Sequence, residues 1–256
     1  MDSSRGVLFP GRDHELHRVP PPNVARDLAV WFWVAEWDLP VGEVSRQHLL
    51  AFPASNLAVE PDLVGFAGPP TRASHRDLRD RGWAVAALLQ PAAIPTFTDD
   101  PSHDRDAYRG LDEPELHRAV TEAMEAGWQT AVTVLAEWLA NRVGDVGEEA
   151  LLANRMADLV ARDPDVRTVD DIADALAVSP STVHRLAARY VGLTPYAMIR
   201  RRRLQEAAEW VRKHPDALLS DIAADLGYSD QAHLTRDFRS MLGFSPGAYR
   251  RESREG

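Results

Sequence analysis

The chain contains no cysteine. That removes any disulfide framework, any thiolate metal centre and any chemistry that passes a group to a thiolate. No run of about 18 uncharged apolar residues occurs, so no membrane-crossing helix is expected. The opening MDSSRGVLFPGRDHE lacks the apolar stretch of a secretory leader, and a reducing, cytoplasmic setting is the expectation. There is no nucleophile elbow, no phosphate-binding glycine loop and no dinucleotide fingerprint, and the histidines form neither HxH nor HExxH. An excess of positive charge is also missing: the net charge is -10.

What is present is enough for a folded protein. A length of 256 residues with 45% apolar content suits one large domain or two smaller ones. The charge is unevenly spread. Residues 1–160 hold 14 Lys+Arg against 25 Asp+Glu, whereas residues 161–256 hold 15 against 14. The second part can therefore present a local basic face to a polyanion while the first part repels one.

Residues 1–22 are polar or broken by Pro20, Pro21 and Pro22, and read as an irregular lead-in with a short strand. LAVWFWVAEW, from Leu28 to Trp37, is dense in aromatic and β-branched residues, which favours a strand. A period of two puts Trp31, Trp33 and Trp37 on one side. This run reads first as core, with a pocket for an apolar or mixed ligand as the alternative. HLLAFPASNLAVEPD reads as two short strands around Pro53-Ala54-Ser55-Asn56. LVGFAGPPT adds a strand or turn, and WAVAALLQPAAI a strand stopped by Pro91. From Pro114 the pattern turns helical, with Leu116, Val120, Met124, Trp128, Val132, Leu135 and Leu139 in register and a break expected near Gly127. A second helix begins at Glu149.

His103 lies among Asp99, Asp100, Asp104 and Asp106. A carboxylate–imidazole metal site is one reading of this cluster; a solvated acidic loop is the simpler one.

The C-terminal part contains a repeat. DIADALAVSPSTV begins at Asp171 and DIAADLGYSDQAHL at Asp221, fifty residues apart. Each copy has Leu five residues after its Asp and Ser eight residues after it, and each ends in Gly-x-x-Pro, at Gly192–Pro195 and Gly243–Pro246. This predicts two helix-turn-helix units. In the first, Thr168 and Asp171 have capping-box spacing, and Ser179 caps a second helix with Pro180 at its first position. In the second, Ser220 and Ser229 are the expected caps and Gly227 the turn. Between the units Arg200–Pro215 reads as a connecting helix carrying Leu204, Ala207, Ala208 and Val211 inward. Arg200 to Arg203 stand at its predicted start, where cations need a compensating partner, phosphate being one candidate.

The repeat resembles the two-unit DNA-binding domain of the AraC/XylS family over about Glu149 to Arg250. The likeness is strongest in GYSDQAHLTRDFRSMLGFSPGAYR, where Phe238, Gly243, Pro246, Tyr249 and Arg250 fall on framework positions. Two positions depart: Ala187 and Leu234 stand where the family often has a bulky aromatic. The resemblance implies DNA contacts from Ser181, Thr182, His184 and Arg185 in the first recognition helix. From the second it implies Gln231, His233, Thr235, Arg236 and Arg239. It also implies a transcription regulator, more often an activator, with a sensing or dimerising domain ahead of the DNA-binding part. The N-terminal part is similar to a β-rich domain fused to such regulators, through Pro21, Trp33, LLAFPASNLAVE, VGFAGPPT and LLQPAAI.

The expected architecture is α+β. Residues 1–112 form a β-rich sensing or dimerisation domain, barrel-like or partly open. Residues 113–147 form a helical connector, 148–250 the all-α double helix-turn-helix domain, and 251–256 a tail. The expected partner is double-stranded DNA, with RNA polymerase for an activator, a small-molecule effector in the N-terminal domain and a homodimer as further partners. No cofactor, catalytic residue, resident metal or membrane association is expected. Two other classes compete: a metal-dependent enzyme built on the His103 cluster, and a protein-interaction module reusing the helical units. A DNA-alkylation repair enzyme carrying the same helical units is excluded by the lack of cysteine.

Overall fold

The computed structural model describes residues 15–49, 53–214 and 216–252. The first half is built on antiparallel strands: β1 (Glu15–Val19), β2 (Ala29–Asp38), β3 (Val44–Leu49), β4 (Asn56–Glu60), β5 (Leu63–Ala67), β6 (Ser74–Arg79), β7 (Arg81–Leu89) and β8 (Tyr108–Leu111). Six of them make one open sheet in the order β1-β2-β7-β4-β5-β8, and β3 pairs with β6 as a separate ribbon. The two strands expected on either side of Pro53–Asn56 are β3 and β4, which belong to different sheets. Strands β6 and β8 were not read from the sequence. Residues 1–14 of the lead-in and 50–52 of LLAF lie outside the described residues.

Alternation along β2 separates two environments. Phe32 and Val34 are fully buried and share a core with Leu57, Val59, Phe66, Val85 and Leu89 from the neighbouring strands. Helices α1 (Pro114–Ala126) and α2 (Trp128–Val143) close this core with Leu116, Val120, Val132, Leu135 and Leu139. They therefore support the sheet, and Gly127, at φ 125, breaks one from the other as expected. Each fully buried Leu or Phe contributes roughly 1.5–3 kcal/mol to this packing. Trp31, Trp33 and Trp37 do share the opposite face, but that face is not filled core: it walls a cavity roofed by the β3–β6 ribbon.

The second half comprises α3 (Glu148–Arg162), α4 (Val169–Leu176), α5 (Pro180–Tyr190), α6 (Pro195–Lys213), α7 (Leu219–Asp225), α8 (Gln231–Leu242) and α9 (Pro246–Glu252). It has two cores. Met156 and Val160 of α3 pack with Ile172, Ala173, Val183, Leu186, Ala187 and Tyr190, and with Met198 and Ile199 of α6. Leu204, Ala207, Ala208 and Val211 of the same α6 pack with Ile222, Ala223, Leu234, Phe238 and Tyr249. One helix therefore contributes to both cores. The halves are joined by a side-chain clip: Asn154 on α3 accepts from Ala92 N at 2.8 Å and donates to Asp27 O at 2.8 Å.

Candidate nucleic-acid interface

Each unit begins with a short helix, makes a tight turn and presents a second helix. In the first unit Thr168 accepts from Asp171 N at 3.1 Å while the Asp171 carboxylate accepts from Thr168 N at 2.8 Å, closing the expected capping box. Backbone amides of Arg167 and Thr168 hold the Asp171 carboxyl below the ordinary range. Ala177 turns the chain in the left-handed region at φ 53. Ser179 then accepts from Thr182 N at 3.1 Å and Pro180 occupies the first turn of α5.

The second unit repeats the path with different caps. Gly227 makes the turn at φ 68. Asp230, not Ser229, caps α8, accepting from His233 N at 2.6 Å, and Ser229 instead meets His233 Nδ1 at 3.1 Å. Ser220 lies inside α7, whose N-cap is Leu218, and its hydroxyl turns to Asp221. Adjacent Ser229 and Asp230 can each cap, which accounts for the shift of one residue at α8; the α7 cap lies two positions before Ser220.

Both second helices bury one face and expose the other. On α5, Ser181, His184 and Arg185 are exposed and Thr182 is half-buried beside the Ser179 cap. On α8, Gln231, Arg236 and Arg239 are exposed, while His233 and Thr235 are half-buried. The His233 ring stands edge-on to Tyr228 at 5.1 Å, so it is held toward its own unit. Arg185 is also engaged: its Nη1 donates to Glu149 at 2.5 Å, and Arg189 reaches the same carboxylate at 3.0 Å. The Arg185 bond, helped by the Tyr190 hydroxyl and both guanidinium charges, lowers the Glu149 pKa against the opposing effect of burial. Nothing in the spacing of the sequence pointed to Glu149.

The arginine run behaves differently from the expectation. The connecting helix starts at Pro195, capped by Thr194, so Arg200 lies a turn and a half inside it and meets no N-terminal dipole penalty. Arg200 makes a two-pronged bond to the buried Asp237 at 2.8 and 2.5 Å, which raises its pKa. Arg202 donates to Val166 O at 2.8 Å and to Glu206 at 3.2 Å. Arg203 donates to Leu226 O at 2.7 Å and lies over the Tyr228 ring. Arg201 is 2% exposed. The partners of Arg200, Arg202 and Arg203 are thus groups of the protein itself, which fasten α6 to its surroundings. Ala187, at a position where the family often has a bulky aromatic, is fully buried, with Tyr190 and Met156 filling that core.

The His103 cluster disperses. Asp106 accepts from Thr71, Asp104 pairs with Arg109 at 3.1 Å, and His103 lies 3.6 Å from Asp100. Among the described residues no group of three His, Asp or Glu is disposed to hold a metal ion. Among them, too, no helix is long and apolar enough to cross a membrane.

A family model described as a helix-turn-helix domain matches residues 172–252, which is the stretch from α4 to α9. Residues 172–252 are thus a helix-turn-helix domain of the AraC/XylS type. Curated relatives align with it. The transcriptional activator RhaS of Escherichia fergusonii is 34% identical over 113 residues, covering 44% of this chain and 39% of RhaS. The transcriptional activator NphR of a Rhodococcus species is 31% identical over 145 residues, covering 56% of this chain and 42% of NphR. The regulator MtrA of Neisseria gonorrhoeae is 28% identical over 119 residues, covering 46% of this chain and 36% of MtrA. The chain thus spans about two fifths of the length of these relatives. Among solved structures, the C-terminal domain of AraT from Geobacillus stearothermophilus covers 41% of this chain and 88% of its own, with 24% identity and a TM-score of 0.37. ToxT from Vibrio cholerae covers 94% of this chain and 98% of its own, with 9% identity and a TM-score of 0.43. The relatives are named as regulators, not as enzymes.

Proposed function

We propose that the protein is a sequence-specific double-stranded-DNA-binding transcription regulator that sets two recognition helices, α5 and α8, into successive major-groove segments. The observation that carries this reading is the shared helix α6, which supplies both cores and leaves both polar faces outward. At about 1.5 Å per residue its 19 residues span roughly 28 Å, close to the ~34 Å of one duplex turn. Arg236 and Gln231 would read guanine and adenine edges, with Ser181, Thr182, His184, Arg185, His233, Thr235 and Arg239 meeting bases or phosphates. An activating role follows the names of RhaS and NphR; recruitment of RNA polymerase would be its route. Residues 1–112 act as the sensing or dimerising part, 113–147 as its helical support and 148–250 as the DNA-binding part.

The test is selection of duplexes from a random pool by the full chain, followed by salt titration on selected and random DNA. Arg236→Ala is expected to weaken the selected site by about 1–3 kcal/mol and to relax preference at one position. A chain that enriches no sequence over background overturns the reading.

A further inference from the structure

The two helix-turn-helix units can be laid over one another residue by residue. The caps Ser179 and Asp230 lie 51 residues apart, and so do the turn glycines Gly192 and Gly243. The supporting helices keep the same offset: Ala153, Met156 and Val160 of α3 fill the first core where Leu204, Ala207 and Val211 of α6 fill the second. Arg185 and Arg236 therefore occupy one place, the sixth residue after each cap, and both are exposed.

The surroundings of these two arginines differ in sign. On the same offset Glu149 of α3 matches Arg200 of α6. Beside α5 the supporting helix presents a carboxylate, which accepts from Arg185 at 2.5 Å, from Arg189 at 3.0 Å and from the Tyr190 hydroxyl at 3.2 Å. Beside α8 it presents a guanidinium, which is committed to the buried Asp237, at the place Leu186 fills in the first unit. Arg236, Arg239 and Gln231 on α8 have no hydrogen bond or ion pair among the described residues. Asp230 feels the Arg236 charge, but its carboxylate caps the helix on His233 N at 2.6 Å. A two-pronged approach to guanine O6 and N7 needs two free N–H groups in the guanidinium plane. Arg236 keeps all of its own for the groove. Arg185 has Nη1 committed to Glu149, and that carboxylate repels the acceptor edge of guanine and the phosphates behind it. Exposed ion pairs are weak, so the clamp does not keep α5 off DNA. It denies α5 the geometry that reads a base.

We propose that α8 is the base-reading helix, with Arg236 on a guanine, that α5 follows the phosphate backbone, and that Glu149 is the positioning residue that sets this division. The target is then one sharply defined half-site beside a loosely defined one. This rests on the reading of the protein as a two-helix DNA binder. Selection from a random pool by the full chain tests it before any substitution is made, since only one half of the enriched site should be sharply defined. In Arg236→Ala the sharp half should lose its guanine, and affinity for the selected duplex should fall about ten-fold or more, with random duplex much less affected. Arg185→Ala should weaken selected and random duplexes by one common, smaller factor. Glu149→Gln keeps the size of the side chain and removes its charge. With Arg185 freed, a preferred base should appear in the loose half, an effect that loss of a merely structural contact would not produce. Two equally defined halves, a loss on the selected duplex alone in Arg185→Ala as large as in Arg236→Ala, or an unchanged set of selected sequences in Glu149→Gln would overturn the proposal. A pool from which nothing is enriched would instead overturn the DNA-binding reading itself.

Discussion

Glu149 holds two cations, Arg185 and Arg189, that lie on the outward side of the first recognition helix. In effect its carboxylate sits where a DNA phosphate would compete for them. Its lowered pKa means that this clamp is intact above the ordinary carboxylate value of 4.5 and is lost only as pH falls through the depressed folded value. Glu149→Gln should therefore raise affinity for random duplex at neutral pH severalfold and steepen the salt dependence by about 0.9 per phosphate gained. A fall in affinity, measured by fluorescence anisotropy, would mean instead that Glu149 orients Arg185 for contact. The arginines of α6 make the opposite case. Arg202→Ala strands the carbonyl of Val166 and should cost about 3 kcal/mol in urea unfolding, with affinity per folded molecule unchanged. Four consecutive arginines at about 100° per residue must point in four directions. Nothing local in the sequence says that Asp237, Val166 O and Leu226 O lie opposite three of them, so their role was not legible.

At the scale of elements, the repeats, turns and first-unit caps were legible because they rest on residues two to five positions apart. Thr168–Asp171 and Ser179–Thr182 are local bonds, and Gly227 is a local backbone demand. Strand β6, SHRDLR, has a largely exposed face and shows no alternation of apolar residues, and β8 has only four residues, so neither announced itself. The pairing of β3 with β6 across 24 intervening residues is a long-range choice that short-range pattern does not encode. Two glycines with similar left-handed geometry separate local from tertiary demand. Gly243, at φ 79, has only Ala73 among the described residues near a would-be Cβ, at 3.5 Å. Gly192, at φ 76, would place a Cβ 2.5 Å from the Pro101 backbone of the other half. Gly243→Ala should cost about 1–2 kcal/mol of backbone strain. Gly192→Ala should cost more, because it also pushes the halves apart, and calorimetry of the two variants side by side reads the difference.

For the whole molecule, the seam between the halves and the rim of the cavity share residues. Arg105 Nε donates to Gly192 O at 2.5 Å, Ala73 meets Gly243, and Asp106, which lines the cavity, is the carboxylate whose charge Arg201 feels. Each of these contacts pairs a loop of the sheet half with α6 or with a turn after a recognition helix. Neither half of this arrangement could be read from sequence, since it depends on how two separately folded cores meet. Arg201 is buried there with Nε and Nη1 lacking hydrogen-bond partners among the described residues. Burial pushes its pKa down to about 10, with Arg200 adding to the effect and Asp106 opposing it, so the group stays charged at neutral pH. Arg201→Met should accordingly raise the melting temperature and leave the recognition faces untouched. The native side chain, by contrast, gains solvation whenever the halves part. A buried cation short of hydrogen-bond partners thus makes the join between the sheet half and the helical half weaker than an apolar side chain of the same size would.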